Sequence, residues 1–180
     1  MLEMLVEQAR RLSTIVDQIL LTSRLETGNV ASESGEFDLA DAFVDLGRST
    51  LPAETHRLIV DVGPGIRVRG DLDQLRQVLT NLVDNALKYS SGPVRATAEA
   101  RELTARITVS DEGPGIPPAE HERIFEKFYR LDPHQQSGVG GTGLGLYIAR
   151  ELVERMEGRI GLLRRGRGTT FYVDVPLASP

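Results

Sequence analysis

The sequence predicts a two-layer α/β sandwich, a mixed sheet covered by helices on one face, preceded by one long N-terminal helix. Three observations carry this. Segments with apolar residues three and four apart, the helical period, are interspersed with short runs of alternating apolar and polar residues, the strand period. The strand runs come in pairs separated by short connections, which makes them antiparallel hairpins between helices. A chain of 180 residues, 40% apolar and 26% charged, has enough for one domain with a core plus a short extra element.

The first element is a helix from Leu2 to about Thr27, free of Gly and Pro. Leu5, Ala9, Leu12, Val16, Ile19 and Ser23 alternate four- and three-residue steps, a heptad seam, and Leu2, Ile15, Leu20 and Leu25 widen it. This predicts packing against a partner helix in a bundle. The plainer alternative is a helix lying on its own domain. Gly28 and Asn29 end the helix. The chain therefore divides into a helix over 1–28, a linker over 29–36 and a domain over 37–180.

Within the domain, a helix is expected from Leu39 to Leu51. Strands follow at Arg57 to Val62 and Ile66 to Arg69, with Gly63-Pro64-Gly65 as a hairpin turn. Asp71 caps a long helix to Tyr89, with Gln74 in the capping-box position. Val94 to Ala100 and Ala105 to Ser110 read as strands, and Pro117-Pro118 opens a short helix. Leu131 to Gly140 is polar and aperiodic, a mobile loop. A last helix from Thr142 to Met156 stops at Gly158, and Arg159 to Leu163 with Thr169 to Val175 closes the chain as a hairpin.

Several functions are excluded or disfavoured by composition. No cysteine is present, so disulfides, thiolate metal sites and cysteine nucleophiles are ruled out. A net charge of −5 argues against nucleic acid or an anionic membrane as partner. No apolar run approaches the roughly 20 residues that span a bilayer, and the N-terminus lacks a signal peptide's apolar core. A cytoplasmic setting without membrane contact is expected.

Three features carry chemistry. On the helix from Asp71, Leu72, Leu75, Leu79, Leu82, Ala86 and Tyr89 form a buried stripe, with Asn81, Asn85 and Lys88 on a second stripe beside it. Two amides and an ammonium along one line suit a hydrated cation and a polyphosphate, since magnesium keeps several waters and takes one or two protein oxygens. The plainer alternative is a solvated polar face. Next, Asp111-Glu112-Gly113-Pro114-Gly115-Ile116 ends a strand, and glycines after a carboxylate let a flat ring approach the backbone. Asp61-Val62-Gly63-Pro64-Gly65-Ile66 repeats the string, but a further β run follows it directly, so it reads as a turn. Finally, Gly138, Gly140 and Gly143 satisfy G-x-G-x-x-G without the strand that a dinucleotide fold needs before it, and no G-K-[ST] is present. What remains is Gly143 and Gly145 at the start of a helix, where free amides and the helix dipole favour phosphate. A flexible linker is the bland alternative there.

Taken in order, these segments resemble the sensor histidine kinases of two-component systems. Asn81-Leu82-Val83-Asp84-Asn85-Ala86-Leu87-Lys88-Tyr89 resembles their N box, and Asp111 to Gly115 their first glycine box. Arg123-Ile124-Phe125-Glu126-Lys127-Phe128-Tyr129-Arg130 is similar to their phenylalanine box, and Gly141 to Leu146 to their second glycine box. Ser23-Arg24-Leu25-Glu26-Thr27-Gly28 is similar to the end of the second helix of the dimerisation and phosphotransfer domain. The resemblance implies a histidine kinase-type ATPase fold with Asn85 on magnesium, Asn81 alongside and Lys88 on phosphate. It places Tyr89 near the base and Asp111 on the adenine amine, with Gly113, Gly115 and Ile116 admitting the nucleotide. Arg130 would reach the terminal phosphate. Phe125, Phe128 and Tyr129 would anchor a lid, and Gly141, Thr142, Gly143, Leu144 and Gly145 would meet the phosphates.

The implied reaction is transfer of the ATP γ-phosphoryl group to a histidine. In the family that histidine lies on a first dimerisation helix, followed by Glu and a short polar motif, and these 180 residues hold no such helix. His56, His121 and His134 sit on the domain itself and read as surface histidines, although His121-Glu122 is a superficial likeness. The implied partners are a histidine-bearing phosphotransfer domain, a response regulator downstream and, through the first helix, a weak homodimer. One rival is an ATPase of the gyrase, chaperone or mismatch-repair kind. Those carry a glutamate base where this chain has Asn81, an amide that cannot deprotonate water. A second rival is a module that binds nucleotide or dimerises without catalysis.

Overall fold

The computed structural model describes residues 2–44, 46, 54–131, 141–163 and 166–178. Helix α1 spans Leu2–Glu26. It ends where Gly28 adopts φ 71°, a left-handed conformation that favours glycine. The Asn29 and Gly28 amides then turn back to the Arg24 and Leu25 carbonyls, closing the helix end.

Strand β1, Gly35–Asp38, begins inside the segment expected as linker. It pairs antiparallel with β3, Arg67–Gly70, in a two-stranded ribbon. The main sheet has five strands in the order β2-β4-β5-β7-β6. These are β2 Leu58–Asp61, β4 Val94–Ala100, β5 Thr104–Ser110, β6 Arg159–Leu162 and β7 Thr170–Pro176. The β2–β4 pair is parallel and the other pairs are antiparallel, so the sheet is mixed as expected. The closing β6–β7 hairpin forms as read.

The hairpin expected at Gly63-Pro64-Gly65 does not form. β2 and β3 belong to different sheets, and the turn is a connection between them. Asp38 takes the Gly65 amide at 2.7 Å and Leu39 donates to the Ile66 carbonyl at 2.8 Å, binding this connection to the end of β1. Parallel neighbours need a long crossover, and helix α2, Leu72–Tyr89, supplies it between β2 and β4. Of the helix expected over 39–51, the described part is a 3-10 turn, Leu39–Phe43, and most of the rest lies outside the described residues.

Helices α2 and α3, Gly145–Arg155, lie against each other and on the sheet. Leu75, Leu79, Leu82 and Val83 of α2 and Ile148, Leu152 and Val153 of α3 are buried, as are the alternate residues Ala105, Ile107 and Val109 of β5 and Phe171, Val173 and Val175 of β7. Burying a side chain of this size contributes about 1.5–3 kcal/mol. The intervening β5 residues make a polar layer, with Arg106 bonded through two nitrogens to Asp174 at 2.6 and 2.5 Å. Its guanidinium also lies 4.4 Å from the centre of the Tyr172 ring.

The C-terminal end of α1 follows the plainer reading, a helix lying on its own domain: Leu25 is buried, Leu21 packs on the core, and Arg155 donates to the Leu25 carbonyl at 2.8 Å. Glu26 pairs with Lys127. Along the seam, Leu12 is 63% exposed and Val16 52%, with Ile19 and Leu20 exposed beside them.

Candidate functional site

The candidate site is built from α2 outward. Asp71 caps the helix as expected, accepting the Asp73 and Gln74 amides at 3.1 and 3.0 Å while its other oxygen takes the Glu33 amide at 2.8 Å. The reciprocal half of the capping box is absent, because the Gln74 side chain turns instead to the Ala31 carbonyl. At the far end, the Arg57 guanidinium donates to the carbonyls of Leu87, Ser90 and Gly92, where the helix leaves acceptors unpaired. A long helix pinned at both ends holds the N-box side chains rigidly.

Those side chains differ from one another. Asn81 is only 6% exposed, so its stripe is not a solvated face. Its amide nitrogen donates to the Gly145 carbonyl at 3.0 Å, and its oxygen accepts from Gln77 at 3.2 Å. Asn85, one turn on, is half-buried, and its amide has no hydrogen-bond partner among the described residues. Lys88 lies against the second glycine box: a Cβ built on Gly141 would stand 2.5 Å from its Nζ. Tyr89 leaves the apolar stripe and is exposed, with Lys88 Nζ 5.2 Å from its ring centre.

Asp111 is buried just beyond β5. One carboxylate oxygen accepts the Gly113 amide at 2.7 Å and the Thr169 amide at 3.3 Å. Burial pushes its carboxyl above the usual range, and those two amides pull it back. Gly113 fits so closely that a Cβ there would stand 2.8 Å from both Asp111 Oδ1 and the Tyr89 carbonyl. The decoy Asp61 is exposed and has no such cradle around Gly63, where a Cβ would meet nothing within 4 Å. Ile116 packs on the core, and His121 shares a hydrogen bond with its carbonyl at 3.0 Å, which ties this histidine into the loop.

In the phenylalanine box, Phe125 is buried edge-on against Phe171, with ring centres 6.3 Å apart. Tyr129 is held by Glu120 below and Arg123 above. The Phe128 side chain is 66% exposed. What it contributes is backbone, at φ 61°, with its amide donating to the Gly143 carbonyl at 3.0 Å. Gly143 sits at φ 72°, and a Cβ there would stand 2.7 Å from the Phe128 carbonyl carbon. Arg130 is half-buried, Leu131 is exposed, and the remainder of the expected lid lies outside the described residues, as does His134.

The structure thus brings four sequence segments together at one place. The N box touches both glycine boxes, through Asn81 with Gly145, Lys88 with Gly141 and Tyr89 with Gly113, and the phenylalanine box touches the second through Phe128 and Gly143. Residues 70–179 match the family described as histidine kinase-, DNA gyrase B- and HSP90-like ATPases. This chain belongs to that ATPase family. Within it the resemblance is to the sensor histidine kinases: the phosphate regulon sensor protein PhoR of Pseudomonas aeruginosa is 32% identical over 177 residues, 94% of this chain and 40% of the relative. The sensor histidine kinase RppB of Synechocystis is 36% identical over 186 residues, 99% of this chain and 41% of the relative. The chain therefore spans about two fifths of the length of these curated relatives. Among solved structures, full-length ShkA in complex with AMPPNP superposes with a TM-score of 0.82 at 29% identity, over 97% of this chain and 37% of that one. The catalytic domain of histidine kinase ThkA gives 0.67 at 28% identity, over 80% of this chain and 95% of that one. The chain carries the ATP-binding catalytic domain of the sensor histidine kinases.

Among the described residues of this ATPase domain, no cluster of His, Asp and Glu side chains is arranged to hold a metal ion by itself, and no helix is long and apolar enough to cross a membrane. A groove of about 320 Å³ runs along the edge strand β6, lined by Arg150, Glu154 and Tyr172 among others. It shares Phe125 with the candidate site, and its Arg150 is already paired with Glu122 and Glu154. Three residues of the site carried no sequence signal strong enough to find them. Gln77 continues the Asn81–Asn85 spacing backward by four residues and was legible in principle. Thr169 and Gln18 act across 58 and 124 residues, and no local pattern marks them.

Proposed function

We infer that this domain binds magnesium-ATP in the space between α2, the loop after Asp111 and the start of α3, and passes the γ-phosphoryl group to a histidine on a phosphotransfer domain. The observation that supports this best is the meeting of the N box with both glycine boxes, a carboxylate at one end and an ammonium with a helix N-terminus at the other. Asp111 reads the adenine amine, with Gly113, Gly115 and Ile116 forming the close backbone wall and Tyr89 near the base. Lys88 and the amides around Gly141, Thr142, Gly143, Leu144 and Gly145 receive the phosphates. Asn85, half-buried on the same face of α2, would hold a magnesium ion, which when bound would supply charge neutralisation for the phosphates. Asn81 spends its amide on Gln77 and Gly145 and fixes the first turn of α3 relative to α2. Arg130 meets the terminal phosphate, and Phe125 with Tyr129 anchors the segment that follows.

In the transfer step the acceptor's imidazole nitrogen attacks the γ-phosphorus. A P–N bond forms, the bond to the bridging oxygen breaks, and ADP leaves while the imidazole's proton passes to a base on the acceptor's side. This domain supplies position and charge, the main requirements of phosphoryl transfer. The phosphoryl group then passes to a response regulator, and α1 supports weak self-association. Reading the domain as a hydrolase finds no support at Asn81, which has no proton-accepting carboxylate.

The test is transfer in trans. Supplied with labelled ATP, magnesium and a separate phosphotransfer domain, the chain should label that domain with an acid-labile, alkali-stable linkage. The label should be lost in Asn85→Ala, and Arg130→Ala should slow transfer more than it weakens ADP binding. Label found on His56, His121 or His134 of this chain without any partner overturns the reading.

A further inference from the structure

Helix α1 and the segment entering α3 share one hydroxyl. Thr142 Oγ1 donates to Gln18 Oε1 at 2.6 Å and accepts the Leu144 amide at 3.2 Å. Both side chains are half-buried, and α1 makes further contacts with the domain beyond Gln18. Leu25 is buried, its carbonyl takes the Arg155 guanidinium, and Glu26 pairs with Lys127. Gln18 therefore meets the segment entering α3, and the Leu25 carbonyl meets the arginine that ends it. Next to Thr142, Gly141 lies against Lys88 Nζ. Thr142 thus stands between a lysine ammonium with a helix N-terminus, where an anion belongs, and the amide of Gln18.

A threonine hydroxyl has one proton to give. Phosphate oxygens of a nucleotide at neutral pH accept and do not donate, so a phosphate that takes the Thr142 proton has to displace the Gln18 oxygen that holds it here. We propose that Gln18 is a positioning residue of the nucleotide site: it holds the Thr142 hydroxyl away from phosphate, so that docking of α1 and binding of nucleotide oppose each other. This rests on the ATP-binding reading above. By linkage the opposition is reciprocal, with the same factor in both directions. A hydrogen bond between neutral groups sets that factor at about threefold to tenfold.

The experiment is a double-mutant cycle on the full chain, read by calorimetry with magnesium-ATP and by hydrogen exchange over residues 15–26. Gln18→Ala should tighten ATP binding about threefold to tenfold. Gln18→Glu, which keeps an acceptor oxygen, should show no gain. In a Thr142→Val background the gain from Gln18→Ala should vanish. Exchange over residues 15–26 should rise when ATP binds to the wild type. Equal affinity of wild type and Gln18→Ala, a gain that survives in Thr142→Val, or unchanged exchange overturns the proposal while leaving ATP binding intact. A wild-type chain that binds no ATP overturns both.

Discussion

Asp111 shows how much a single residue's surroundings add to its motif. The same Asp-x-Gly-x-Gly string occurs twice, but around Asp111 two backbone amides fix one carboxylate oxygen, while the exposed Asp61 has no such cradle. Asp111→Asn should therefore weaken ATP about tenfold to a hundredfold, the worth of a hydrogen bond to a charged group, and Asp61→Asn should leave it unchanged. GTP, which presents an oxygen where adenine has its amine, should bind poorly to the wild type, and calorimetry with both nucleotides checks all three outcomes. Asp84 makes a different prediction. Burial raises its carboxyl to about 6, and Lys88 only partly offsets this. A carboxyl raised in the folded state holds its proton longer than in the unfolded chain, so folding loses stability as pH climbs from about 4 to about 6. Asp84→Asn should thus stabilise the fold by on the order of 1–3 kcal/mol at pH 7.5 and by almost nothing below pH 4. Denaturant melts at the two pH values decide it. The segments that meet at the candidate site were legible because each carries its motif locally. The surroundings of their side chains were not: nothing in the N-box string says that Asn81 is buried and bonded while Asn85 and Asp84 are half-buried, because burial is set by the neighbouring elements.

Elements were legible where period and punctuation agree. The limits of β4 and the start of β6 fall where alternation predicts, and α2 runs from the Asp71 cap to Tyr89. The β2–β3 turn misled because Gly-Pro-Gly marks a change of direction without naming the partner strand. The partner is chosen by the crossover through α2 and by Asp38, which is 27 residues from Gly65. The sequence likewise marks Arg57 only as the start of a strand, yet it closes the C-terminal end of α2 with bonds to three carbonyls and an ion pair to Glu54. Its fork spans acceptors that a single ammonium cannot reach together. Arg57→Ala should cost about 2–4 kcal/mol, since three partly buried carbonyls lose their donor, and Arg57→Lys should recover less than half of that. Chemical denaturation of both variants measures it, with the loss expected to carry over into weaker nucleotide binding through the displaced end of the N box.

At the scale of the whole molecule, α1 joins two demands that one helix does not satisfy alone. Its last two turns bury Thr22 and Leu25 on the ATPase domain, while Leu12, Val16, Ile19 and Leu20 remain exposed on the rest. Exposed apolar residues at heptad spacing favour a partner helix, but one helix per chain yields only half of a four-helix bundle. Association between two such chains should therefore be weak and concentration-dependent, and it should draw on the seam rather than on the docked end. Leu12→Glu places a charge on the most exposed seam position named here and should abolish the dimer without altering nucleotide affinity, because Leu12 lies nearly two turns from Gln18. Gln18→Ala should do the reverse, raising nucleotide affinity while the dimer persists. Sedimentation across concentrations, run beside nucleotide titration of both variants, separates the two uses of the helix. A tight dimer that ignores Leu12→Glu would place the association surface elsewhere.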